Sequence, residues 1–185
     1  MAIASELILL IMKLYIIILL LLTIKAHGQS PLDMKFYLEN KQISKSAKDY
    51  YNGKFKAIDN AKTFSIIDSL KTKNNLTRPF YIFLVSKIIG KADGALSESL
   101  GVSCKVFLES QPDFLIDFLY STNPIIKKNF LDNWADQIAG EFMIDCEEKE
   151  KKCIVKSFKK ALTKSRSVNK FKLTEFYKKI ERYCH

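Results

Sequence analysis

Apolar residues recur along most of the chain at intervals of three and four, the spacing of one helix face rather than of a strand. Thr77-Arg78-Pro79 opens the clearest element, because threonine caps a helix and proline is tolerated in its first turn. Phe80, Phe83, Leu84, Lys87 and Ile88 then fall on one stripe. Asp93-Gly94 starts another helix, with Leu96, Leu100, Cys104, Phe107 and Leu108 inward. Pro112 begins a short one ending at Tyr120, and Asn123-Pro124 caps a fourth that carries Phe130, Trp134, Ile138 and Phe142. Asp145 with Glu148 forms a capping pair ahead of a helix from Cys146 to Lys164. The last helix starts near Leu173 and turns Phe176, Tyr177, Ile180 and Cys184 inward. Less regular helical segments occupy 32–52 and 58–71. The pattern predicts an all-α fold, a compact disulfide-braced bundle of about seven to eight antiparallel helices, with a short α-solenoid of helix pairs as the alternative.

The start of the chain follows different rules. After Met12-Lys13 comes an apolar run from Leu14 to Ile24, and Ala26-His27-Gly28 then sets small residues at the third and first positions before a cut. This order of a charge, an apolar core and a small-residue site predicts a signal peptide over 1–28, cleaved before Gln29, with Met12 as an alternative initiator. The competing reading is an uncleaved anchor, since Leu7 to Ile24 is interrupted only by Lys13 and reaches the short edge of the roughly 20 residues a span needs. Cleavage leaves residues 29–185 as one domain with no transmembrane span, secreted or periplasmic.

Four cysteines, Cys104, Cys146, Cys153 and Cys184, lie beyond that segment, and an even number behind an export signal favours disulfides. The spacing of Cys146 and Cys153 is too wide for the paired ligands of structural zinc, and no CxxC redox motif is present, so neither a metal nor another cofactor is expected. Between these two cysteines, CEEKEKKC holds no Gly, Pro or Asn, and Glu147–Lys151 and Glu148–Lys152 are helix-favouring pairs. An unbroken helix would hold the two cysteines about 10.5 Å apart along its axis. A disulfide needs Cα atoms within about 7 Å. A helical hairpin turning at Ser165–Asn169 instead sets Cys153 beside Cys184. The expected pairs are therefore Cys153–Cys184 and Cys104–Cys146, with the local Cys146–Cys153 loop plus Cys104–Cys184 as the second choice.

Charge changes the functional picture. The chain carries 30 Lys and Arg against 20 Asp and Glu, and the excess of bases is concentrated after Glu148, in the basic hairpin 147–185. The cations are nearly all lysine, and Phe158, Phe171, Tyr177 and Tyr183 between them fit the core stripe, so nucleic acid is not the expected partner. The sequence has two histidines, His27 and His185, which leaves no Ser-His-Asp or Cys-His system in the body of the domain. Phosphate-cradling glycine loops are missing too. What remains for catalysis is carboxylates: Asp113 with Asp117 and Asp132 with Asp136, each pair on one helix face. They make a hydrolase acting on envelope polysaccharide the fallback reading. The main expectation is a non-enzymatic exported binding protein, an inhibitor or toxin-neutralising type, that meets an acidic protein partner or an anionic envelope surface. The expected contact residues are Lys149, Lys152, Lys156, Lys159, Lys160, Lys164, Lys170 and Lys178.

Overall fold

A computed structural model describes residues 32–147 and 149–184; the proposed signal peptide and its cleavage site lie outside the described residues. These residues form nine helices and, among them, no strand: α1 Met34–Glu39, α2 Lys45–Tyr51, α3 Ala61–Asp68, α4 Arg78–Ile89, α5 Gly94–Ser110, α6 Pro112–Leu119, α7 Asn129–Cys146, α8 Glu150–Leu162 and α9 Lys170–Tyr183. The all-helical class expected from the periodicity is the class observed.

Side-chain caps set the first three starts. Asp33 accepts from the backbone N–H groups of Lys35 and Phe36, Ser44 from Ala47, and Asn60 from Thr63. Thr77 behaves otherwise than expected: its hydroxyl turns back to the Asn74 carbonyl at 3.3 Å and makes no cap bond to α4.

Helix α4 is buried on nearly every side. The expected single stripe is too narrow, because Tyr81, Ile82, Val85 and Ser86 are buried along with Phe80, Phe83, Leu84 and Ile88. A helix apolar all round must be enclosed, and α2, α3, α6 and α7 all pack against α4. Its one flanking lysine, Lys87, holds its Nζ between 5.5 and 5.7 Å from the rings of Tyr50, Tyr51 and Phe83. Burial, and then Lys91 and Lys127 nearby, lower the Lys87 pKa.

The longest packing seam joins α5 and α7. Leu96, Leu100, Cys104, Phe107 and Leu108 of α5 are buried as expected, as are Phe130, Trp134, Ile138 and Phe142 of α7. The seam closes at Gly101, where an added Cβ would stand 3.0 Å from Glu141 Oε2 and 3.1 Å from Glu141 Cβ. Helix α8 lays Ile154, Ser157 and Ala161 inward and α9 lays Leu173, Phe176, Tyr177 and Ile180 inward. The Ser157 and Tyr177 hydroxyls meet at 2.9 Å between the two helices.

The cysteine pairing differs from the expected one. Cys146 is bonded to Cys153, with Cα atoms 6.4 Å apart, and Cys104 and Cys184 are free thiols. The expected Cys153–Cys184 and Cys104–Cys146 bridges rested on an unbroken helix through CEEKEKKC, and the helix breaks there. Glu147 adopts φ 31°, ψ 91°, α7 ends at Cys146, and α8 starts only at Glu150. Asp145, expected to cap the next helix, lies inside α7 and pairs with Lys105, while its expected partner Glu148 lies outside the described residues. The corner falls later than expected: α7 runs on through Asp145 to Cys146, and the chain turns at Glu147 before α8 begins. Local Glu-Lys pairs supply only a few tenths of a kcal/mol each. Burying the inner face of α8 against α5 and α7 outweighs them.

Candidate binding surface

Three of the four acids that were candidates for catalysis, Asp113, Asp117 and Asp132, are placed as joints between helices. Asp113 and Asp117, on α6, face the connection between α8 and α9. Asp113 accepts from the Arg166 backbone N–H at 3.0 Å, from Arg166 Nε at 3.0 Å, from Ser165 Oγ at 3.0 Å and from Asn169 Nδ2 at 3.0 Å. Asp117 accepts from Asn169 Nδ2 at 2.8 Å and from Arg166 Nη2. Burial pushes the Asp113 carboxyl up, but the hydrogen bonds from Arg166, Asn169 and Ser165 together hold it below the usual range, so it stays ionised. On α7, Asp132 accepts from Lys179 Nζ at 2.5 Å and from the Tyr183 hydroxyl at 3.1 Å, fastening α7 to α9, and the Lys179 bond lowers its pKa. Asp136, one turn further on, is exposed.

A fifth acid is shifted the other way. Glu141 is 4% exposed and its pKa is raised to about 7, first by burial and then by the charge of Asp145. Lys105 Nζ, 3.9 Å from Glu141 Oε1, partly offsets this and forms its closer pair with Asp145. Cys104 lies against the same group, fully buried, its thiol pKa pushed up by burial and by Glu141. Glu141 was not among the expected site residues; its position on the inward stripe of α7 was the available signal.

The lysines expected to make contact are all exposed. Lys152, Lys156 and Lys159 follow one another along a single face of α8, by the angular step of the helix, and Lys149 stands just ahead of it at the N-cap. None of the four has an ion-pair partner among the described residues. Lys160 is paired with Glu109 of α5 at 2.6 Å, and Lys164 Nζ donates to the Glu109 carbonyl at 3.1 Å. Lys170 begins α9, and Lys178 is paired with Glu175 at 2.9 Å. The expected set therefore divides into an unpaired row on α8, with Lys170 apart, and three lysines already engaged within the domain.

Apolar side chains accompany the row. Val155 is 46% exposed on α8, and Val168 and Phe171, where the chain passes from α8 to α9, are 73% and 75% exposed. Phe171 was expected in the core stripe and is not part of it; Leu173, Phe176, Tyr177 and Ile180 complete that stripe without it. Among the described residues no cluster of His, Cys, Asp and Glu is arranged to hold a metal, and no helix is long and apolar enough to cross a membrane. No protein-family model, curated protein or solved structure matches the chain.

Proposed function

We propose that this is an exported, non-enzymatic helical binding protein whose α8 surface engages the acidic face of another exported protein, as an inhibitor or toxin-neutralising protein would. The scaffold in this reading is an antiparallel bundle with α8 and α9 as its basic hairpin. The observation that carries it is the row Lys149, Lys152, Lys156 and Lys159, exposed and without ion-pair partners among the described residues, with exposed Val155 beside them. Cations left unpaired on one face attract an acidic partner over distances of about 10 Å at moderate salt. Exposed apolar groups supply contact area that a purely electrostatic encounter lacks.

The test is charge reversal. Replacing Lys149, Lys152, Lys156 and Lys159 together by Glu leaves helicity unchanged and abolishes capture of an acidic partner from the native envelope or medium. Capture of the same proteins by both forms would refute the surface. An anionic envelope surface in place of a protein would show as binding to vesicles of anionic lipid that falls steeply with salt.

A further inference from the structure

Arg78 is a buried cation without a carboxylate. It is 4% exposed, and no acidic side chain pairs with it among the described residues. Its Nε and Nη2 donate to the Thr72 carbonyl at 3.2 and 2.6 Å, and Nη1 donates to Asn75 Oδ1 at 2.7 Å. Its guanidinium carbon stands 4.2 Å from the centre of the Phe114 ring. Those bonds use three of the five N–H groups that a guanidinium carries. Burial lowers the pKa of Arg78, with no neighbouring acid opposing it. Buried charges in proteins are as a rule paired, because desolvating one alone is costly.

The same side chain lines a cavity of about 260 Å³ between the turn after α3 and the C-terminal half of α5. Ser103, Ser110 and Gln111 contribute polar groups, and Leu70 and Phe107 contribute apolar wall. No acid is among the lining residues. Two lysines are: Lys71, paired with Asp68 at 2.8 Å, and Lys73, which is exposed. The volume lies just under the roughly 300–1,000 Å³ of pockets for drug-sized ligands, so its occupant is small.

We propose that this cavity binds a small monocarboxylate with an apolar body, the carboxylate meeting the free N–H groups of Arg78. A single negative charge matches the one buried positive charge. The planar fork of an arginine suits a carboxylate, and the apolar wall favours a hydrocarbon or aromatic body over a bare inorganic anion. The acid has two sources, a free small molecule or the C-terminal carboxylate of a peptide.

Amide NMR on the full chain separates the outcomes. The probes are benzoate, a tetrapeptide ending in a free leucine carboxylate, the amide of each, and inorganic phosphate. The expected result is saturable shifts at Thr72, Ser103, Ser110 and Gln111 with at least one acid, and binding weaker by about ten-fold or more for its amide. Benzoate alone marks a small-molecule site, and the peptide acid alone marks a chain-end site. Ser103→Phe occupies the cavity, leaves Arg78 itself unaltered and loses the binding, while Arg78→Lys keeps the charge, loses the fork and weakens it. No saturable shift by either acid up to about 10 mM overturns the proposal. Equal binding of acid and amide, equal binding of phosphate, or full binding by Ser103→Phe does the same.

Discussion

The indole N–H of Trp134 donates to Ser86 Oγ across 2.7 Å in the middle of the core, and the Ser86 hydroxyl donates onward to the Ile82 carbonyl at 2.8 Å. One serine thereby satisfies a buried donor on α7 from inside α4. Ser86→Ala leaves the indole N–H without an acceptor, at a cost of about 1–3 kcal/mol. Trp134 is the sole tryptophan and fully buried, so its emission reports directly on the core. Urea titration followed by that emission is expected to show a lower midpoint for the variant with an unchanged slope.

The Cys146–Cys153 bond predicts a specific chemical map. Proteolysis without reduction yields a fragment in which these two cysteines are joined to each other, while Cys104 and Cys184 remain alkylatable once the protein is unfolded. In the native state Cys184, half-buried, reacts ahead of Cys104, which is fully buried. Closing so short a loop restricts the unfolded chain by about 2.5 kcal/mol, and the double Cys146→Ser, Cys153→Ser variant should lose stability on that order. A recovered Cys153–Cys184 fragment would overturn the pairing.

Asp113 ties α6 to the turn between α8 and α9, and its removal is expected to loosen the basic pair of helices. Asp113→Asn keeps an acceptor but loses the charge facing Arg166, a change of about 2 kcal/mol. The pH dependence follows from the lowered carboxyl. The stabilisation is complete above the unfolded pKa of about 3.9 and is lost as pH falls through the lower folded value. Thermal melts between neutral and strongly acidic pH should show the wild type losing more of its stability than Asp113→Asn does.

Glu141 has the opposite sign. Its folded pKa of about 7 lies above the unfolded value, so the folded state holds the proton more tightly. The groups facing it are Cys104 and Lys105 on α5 and Asp145 on its own helix. Stability therefore falls as pH rises between about 4.3 and 7, and levels off above that. Glu141→Gln keeps a donor toward Asp145 and removes the titration. It should flatten that slope and stabilise the protein above neutrality by on the order of 3 kcal/mol. Gly101→Ala, which drives a methyl onto Glu141, should destabilise at every pH by about 1–3 kcal/mol.

Where burial alone decides the outcome, the amino-acid pattern was a good guide. The inward residues of α5, α7 and α9 followed from a spacing of three and four, because each of these helices buries one face. Helix α4 was read too narrowly, since periodicity finds a boundary only where a helix has a wet side. The corner at Glu147 was misread for a different reason. Its local signals favour a continued helix, and the force that breaks it is the packing of α8 on α5 and α7, which no short window contains. The lysines of α8 were legible as exposed; which of them are free was not, because Glu109 lies far away along the chain. Arg78 stood in plain view at a helix start, and nothing in its neighbours signals that it would be enclosed without a carboxylate partner among the described residues.

The cystine at the α7–α8 corner joins residues only seven apart in sequence. A ring that small asks nothing of distant parts of the chain. It can close while the polypeptide is still being delivered, before α9 exists to pack against it. Nor can it be mispaired with a cysteine not yet made, which leaves Cys104 as its only competitor at that moment. An oxidising compartment would thus set the corner early, and α9 would arrive to find the basic helix already turned onto its course.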